Sequence, residues 1–133
     1  MFALGTEPRD EYYEIELAQA AHVLVTQVRP VEAGQQVLIT ADTASDSRTV
    51  RATAGAVQAA GGIPTVAWYT TLPEPMQEPP APVAKAALGA DVWIDFSVSY
   101  QLYSHAYEAA IDNGCFYVCL TGMDVDMMVR TIG

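Results

Sequence analysis

Continuous apolar runs alternate along this chain with segments in which apolar residues recur at helical spacing. The runs predict four strands, at residues 37–42, 64–69, 91–97 and 116–122. Because these runs are apolar almost throughout, both faces of each strand are expected to be buried, as in a parallel sheet covered by helices on both sides. The pattern therefore predicts an α/β fold with a doubly wound, four-stranded, mainly parallel sheet of the Rossmann or flavodoxin-like kind.

Helices are predicted between the strands. The first spans residues 11–28 within an N-terminal region 1–30, and Pro30 ends it. Its predicted apolar face has helical spacing and consists of Tyr13, Leu17, Ala21, Leu24 and Val28. A second helix is predicted to begin after residues 43–46 and to run to about residue 60. Further helices are predicted at residues 83–89, 100–114 and 123–132.

One segment cannot form regular structure, because residues 71–82 contain five prolines. A loop of this length in a compact domain lies at the surface and is typical of a lid or a contact arm. The remaining connections are short and carry the glycines that end helices.

The length of 133 residues predicts one domain, and an apolar content of 51% indicates a globular chain. Six basic residues face sixteen acidic ones, so the net charge of -10 argues against binding to nucleic acid or to anionic membrane surfaces. No apolar run reaches the roughly 20 residues of a membrane helix, and the N-terminus lacks a signal pattern. We expect a cytoplasmic protein.

The two cysteines, Cys115 and Cys119, fall in a predicted strand. Residues four apart in a strand lie about 13 Å apart on one face, whereas a disulfide needs Cα atoms within about 7 Å. The spacing excludes a bridge between them and predicts two buried free thiols.

Polar side chains follow the predicted strands at the edge where ligands bind in open α/β sheets. Asp42 ends the first predicted strand, Ser97 ends the third, and Ser99 and Tyr100 come directly after the third. The turn after the first strand contains no glycine, unlike phosphate-binding turns. Its simplest interpretation is helix capping, by Thr43, Ser45 or Asp46.

His105 is the histidine predicted nearest to this edge, in the first turns of the helix after the third strand. A neutral imidazole there could transfer protons, although a solvated helix face is the simpler interpretation, because exposed polar faces are usual on surface helices. His22 lies on the first helix, off its apolar face. No spacing of histidines, cysteines or carboxylates predicts a metal site, and no P-loop, G-x-G-x-x-G or G-x-S-x-G motif is present.

Three segments carry a family resemblance: "VLITADTASDSRTVRATAGAVQAAGGIPTVAWYTTLP", "VAKAALGADVWIDFSVS" and "AIDNGCFYVCLTGMDVDMMVR". In order and spacing, residues 30–130 resemble the N-terminal domain of the M29 aminopeptidase T group. That group includes the iron-dependent 2,5-dihydroxypyridine 5,6-dioxygenases. The run Ser45-Asp46-x-Arg48-Thr49-Val50 is closer to the dioxygenase branch.

The resemblance implies that the metal ligands lie in a second domain, which would follow where this chain stops. It thus implies a subunit that holds no cofactor and roofs the substrate cleft of a partner chain carrying Fe(II) or Zn(II), in a hetero- or homo-oligomer. Ring-cleaving dioxygenase chemistry on a small aromatic substrate is favoured. The alternatives are an aminopeptidase subunit acting on peptides, or a non-catalytic binding or regulatory module. His105 would be catalytic, and the residues expected to line the cleft are Asp42, Arg48, Ser97, Ser99 and Tyr100.

Overall fold

The computed structural model describes residues 10–73, 78–99 and 104–132, without side chains for residues 10–13. Its helices are α1 (Asp10–Val23), a π-helical turn (Leu24–Val28), α2 (Ser47–Ala59), α3 (Ala81–Leu88), α4 (His105–Asp112) and α5 (Val125–Thr131). Its strands are β1 (Gln36–Asp42), β2 (Ile63–Tyr69), β3 (Val92–Asp95) and β4 (Phe116–Cys119). Tyr100 and residues 101–103 lie outside the described residues, as does the middle of the proline-rich segment.

The four strands form one parallel sheet in the order β2-β1-β3-β4. β1 and β3 are buried along most of their length, as expected of strands with neighbours on both sides and helices on both faces. The prediction of buried strands is wrong for β2 and β4, which are partly exposed because they end the strand order of the described sheet. The sequence prediction of a doubly wound α/β fold with a four-stranded parallel sheet is confirmed.

Helices cover both faces of the sheet. α1 packs against α2 and α5 on one face, and α3 packs against α4 on the other. The larger apolar core lies under α1, α2 and α5 and contains Ile39, Ile94 and Phe96 from the sheet region. The smaller core is built around Trp93, Val83 and Ala110 under α3 and α4. Between these helix layers, the two ends of the strands form the rims of the sheet.

The first helix departs from its predicted apolar face at its last turn. Leu17, Ala21 and Leu24 are buried as predicted, but Val28 is 60% exposed and Val25 is buried instead. The cause is the π-helical turn, in which the N–H of Arg29 donates to the carbonyl of Leu24, five residues back. The wider turn rotates the following side chains away from the α-helical spacing. The side chain of Tyr13 lies outside the described residues.

The turn from α2 into β2 depends on two glycines. Gly61 has φ +94°, in the left-handed region that favours glycine. A Cβ on Gly62 would lie 2.7 Å from Cγ1 of Val31 and 2.9 Å from Cγ1 of Val57, both too close. These glycines let the chain turn tightly beneath the larger core.

The prediction of two buried thiols is right for Cys115 and wrong for Cys119. Both cysteines are free, but Cys119 is exposed because it is the last residue of β4, at the rim of the sheet. Burial and the nearby Asp91 carboxylate raise the pKa of Cys115 to about 11. In the described part of the chain, no helix has the length and apolar character needed to cross a membrane.

Candidate functional site at the carboxyl ends of the strands

The order of the strands reverses between β1 and β3, since β2 lies on one side of β1 and β3 with β4 on the other. In open α/β sheets, ligands bind outside the carboxyl ends of the strands at such a switch point. Here this place is formed by the segments that follow Asp42 in β1 and Asp95 in β3.

Asp42 joins these two segments. Its buried carboxylate accepts hydrogen bonds from the Ala44 N–H at 3.1 Å and from the Ser45 hydroxyl at 3.2 Å. Its other oxygen accepts from the Ser99 N–H at 3.1 Å, in the segment after β3. The geometry of the Ser45 hydroxyl also allows it to donate to the Phe96 carbonyl, at 3.1 Å. The carboxylate therefore fastens the two sides of the switch point together.

Asp46 connects two helix N-termini. It is the N-cap of α2 and accepts from the Arg48 N–H at 3.0 Å. Its second oxygen accepts from the Val125 N–H at 3.2 Å, in the first turn of α5. Partial burial alone would raise the pKa of Asp46, but hydrogen bonds from Arg48 and Val125 and the Arg48 charge outweigh burial and hold it below the ordinary value. The predicted capping role of this turn is confirmed.

The end of β2 is tied to the same turns. The Thr71 hydroxyl lies 3.0 Å from the Thr43 hydroxyl and accepts from the Ala44 N–H at 3.1 Å. The Leu72 N–H donates to the Ser99 hydroxyl at 3.1 Å. The segments after β1, β2 and β3 therefore form a continuous hydrogen-bonded seam across the rim.

A second buried carboxylate, Asp95, lies at the last residue of β3. One of its oxygens accepts from the Thr40 hydroxyl at 2.9 Å and from the N–H and hydroxyl of Ser97 at 3.0 and 2.5 Å. Its other oxygen accepts from the Tyr117 hydroxyl of β4 at 2.5 Å. The Trp93 indole N–H donates to the Thr40 hydroxyl at 2.8 Å, which extends the network through the sheet.

Burial raises the pKa of Asp95 above its ordinary value, although hydrogen bonds from Ser97, Tyr117 and Thr40 oppose the rise. Sequence reasoning did not select Asp95 as a site residue. The sequence did contain a signal, since Asp95 lies in a strand expected to be buried on both faces. A buried carboxylate requires hydrogen-bond donors from neighbouring strands, which would have marked Asp95 as a candidate.

The structure brings three of the predicted cleft residues together. Asp42, Ser97 and Ser99 lie at the switch point and are buried. Arg48 lies apart from them in the first turn of α2, where it pairs with Asp46 and lines a groove between α1 and α2. Tyr100 lies outside the described residues. The cleft role assigned to these residues stays a prediction.

His105 is the first residue of α4, and its side chain is 91% exposed. Its backbone N–H donates to Glu78 Oε2 at 2.7 Å, and the Ala106 N–H donates to Oε1 at 3.0 Å. The imidazole Nδ1 lies 3.9 Å from the same carboxylate. Glu78, near the end of the proline-rich segment, therefore binds the first N–H groups of α4, a contact that the sequence pattern did not indicate.

Metal ligands do not converge in the part of the chain that the structure describes: it holds no group of three or more His, Cys, Asp or Glu side chains placed to bind an ion. A cavity of about 200 Å³ lies between α3 and the start of β1, and others lie beside α1. The hydrogen bonds of the seam hold the ends of β1, β2 and β3 together.

The fold is similar to part of two longer solved proteins. It matches 2,5-dihydroxypyridine dioxygenase from Pseudomonas putida KT2440 with a TM-score of 0.73 and 18% identity, over 90% of this chain and 37% of that chain. It matches AmpT from Thermus thermophilus with a TM-score of 0.54 and 17% identity, over 90% of this chain and 42% of that chain. No family model and no curated protein matches the sequence. The chain thus spans less than half of either protein, and the likeness establishes a shared fold.

Proposed function

We propose that this chain is the metal-free α/β subunit of an M29-like metalloenzyme and roofs the substrate cleft of a partner chain that holds the metal. Ring-cleaving dioxygenase chemistry on a small aromatic substrate is the favoured activity. The observation that carries the proposal is the closer structural match to the dioxygenase than to AmpT at equal coverage of this chain. The resemblance of residues 45–50 to the dioxygenase branch supports the same choice.

The partner's Fe(II), or Zn(II) in the aminopeptidase alternative, would supply the metal chemistry. This chain would supply a roof of fixed shape, because the hydrogen bonds of the seam hold the strand ends together. His105 would contribute a proton-transfer group, since its exposed imidazole lies 3.9 Å from Glu78 through Nδ1 and leaves Nε2 free to face a substrate.

A non-catalytic binding or regulatory module is the second candidate. It is favoured by the strand ends themselves, where Asp42, Asp46 and Asp95 are occupied by internal hydrogen bonds. Such a module would keep the fold and leave all chemistry to other proteins.

The test starts from tagged chain expressed in its own cells and purified with whatever binds it. We expect a partner rich in His, Glu and Asp that holds the metal, and a complex that consumes O₂ with 2,5-dihydroxypyridine. Release of an N-terminal amino acid from a peptide, without O₂ uptake, would select the aminopeptidase alternative. A complex that shows neither activity would contradict the enzymatic proposal and leave the binding module.

Within that complex, His105→Ala should lower turnover at least about tenfold, because general acid–base catalysis contributes about 10²–10⁴-fold. Assembly and metal content should be unchanged. His22→Ala is the matched control, since His22 is also exposed but lies on α1. Equal turnover in both variants and the wild type would remove His105 from the mechanism and leave a roof only.

A further inference from the structure

The outer edge of β2 is uncharged and apolar, and no other strand of the described residues pairs with it. Ile63 is 47% exposed, Val66 42% and Trp68 44%, so three large apolar side chains are exposed on one strand of seven residues. Natural edge strands usually carry charges or are very short, because an open edge invites pairing with another strand. β4, at the other edge of the described sheet, is short, and the Arg29 guanidinium lies 4.0 Å from the ring centroid of its Phe116.

The backbone of β2 has hydrogen-bonding groups to offer on this side. The Ile63 N–H donates to the Gln35 carbonyl, so Ile63 faces β1, and the groups of successive residues in a strand point alternately to either side. Val66 and Trp68 therefore direct their N–H and C=O groups outward. Pro64 also faces outward, where its missing N–H removes no bond to β1, as expected of a proline in an edge strand.

The charge distribution favours a second copy of this chain as the molecule that binds at this edge. Residues 52–73 contain no charged side chain, whereas the whole chain carries a net charge of -10. Two copies repel each other over most of their surfaces, and β2 lies in the middle of the one long uncharged segment. A basic protein would be attracted to the acidic surface elsewhere on the chain, because β2 carries no acidic residue with which it could form an ion pair.

We propose that β2 is a self-association edge, at which two copies of this chain pair their β2 strands antiparallel about a two-fold axis and extend the sheet from four to eight strands. An isologous contact of this kind uses the same patch on both copies. Val66 and Trp68 would supply the donors of the new ladder, and their side chains would pack against the partner copy on the face that α2 covers. The proposal is independent of the metal-bearing partner described above.

Sedimentation of the purified chain over a range of concentrations tests this inference. We expect a monomer–dimer equilibrium that shifts towards the dimer as ionic strength rises, because salt screens the repulsion between two acidic copies. Val66→Glu should raise the dissociation constant at least about tenfold, since like charges would face each other across the axis. Val66→Pro removes only an outward N–H and should also weaken the dimer, while the circular dichroism stays that of the wild type.

Leu88→Glu is the matched control, because Leu88 is 44% exposed on α3 and the substitution adds the same charge away from β2. It should leave the dissociation constant unchanged. A chain that stays monomeric at concentrations up to about 0.5 mM would overturn the proposal, as would a dimer that both Val66 variants leave intact. A dimer that salt dissociates would place the contact on a charged surface and would also overturn it.

Discussion

The turn after β1 and the end of β3 both place carboxylates at the rim of the sheet, but their surroundings are opposite. Asp46 lies at the N-termini of α2 and α5, and hydrogen bonds and the Arg48 charge lower its pKa. Asp95 lies within the sheet among hydroxyl donors, with no described basic group bonded to it, and burial raises its pKa.

The difference shows how one rim uses two kinds of acid. A carboxylate at helix N-termini is stabilised in its charged form by peptide N–H groups and the helix dipole. A carboxylate inside the sheet is held by neutral donors, which do not fully replace the water that burial removes. Asp46 therefore strengthens the fold when ionised, whereas Asp95 fixes the positions of its neighbours at a cost in stability when ionised.

Of the two acids, Asp95 should cause the larger loss of stability when it is replaced. Asp95→Ala would leave the hydroxyls of Thr40, Ser97 and Tyr117 without their buried acceptor, so we expect a loss of about 3 kcal/mol or more in the free energy of unfolding. Urea unfolding measures the loss. Asp95→Asn keeps one acceptor oxygen and should cost less, and equal losses in the two variants would contradict the network as its cause.

The raised pKa also predicts a pH dependence for Asp95. Between its ordinary value of 3.8 and its higher folded-state pKa, the folded protein binds more protons than the unfolded chain. The contribution of Asp95 is therefore present below 3.8 and is lost as pH rises through the folded-state pKa. Asp95→Asn should remove this component from the stability profile.

Replacement of Asp46 should have the smaller effect and the opposite pH dependence. Asp46→Ala removes the N-cap of α2 and the acceptor of the Val125 N–H, for which we expect a loss of about 1–2 kcal/mol at neutral pH. Because the folded-state pKa is lowered, this contribution is present above 3.8 and is lost as pH falls through the folded-state pKa. Unfolding measured at neutral and at acid pH should show the difference between variant and wild type shrinking in acid. A difference that stays constant would mean that the charge of Asp46 does not matter.

Local patterns predicted much of the fold and part of the rim. The buried strands, the glycines after α2 and the capping of α2 follow from residues close together in sequence, so the sequence contained their signals. The π-helical turn did not follow from periodicity, and Val28 was consequently placed on the wrong face.

The contacts that define the rim are different, because they join residues far apart along the chain. Tyr117 reaches Asp95 from the neighbouring strand, Ser99 reaches Asp42, and Glu78 reaches the first turn of α4. Only the tertiary fold brings these groups together, and no spacing within a segment indicates it. Cys119 was misplaced for the same reason, since its exposure depends on its position as the last residue of β4, at the rim of the described sheet.

The acids of this rim are bound by hydrogen bonds within the fold, and we propose that any metal comes from a partner. Metal analysis of the chelator-washed chain, purified alone and then supplied with Fe(II) or Zn(II), tests it most directly. We expect far less than one tightly held metal ion per chain, because the described carboxylates are occupied by hydrogen bonds and do not form a ligand set. Stoichiometric iron or zinc in the isolated chain, lost on replacement of Asp42 or Asp95, would contradict the account.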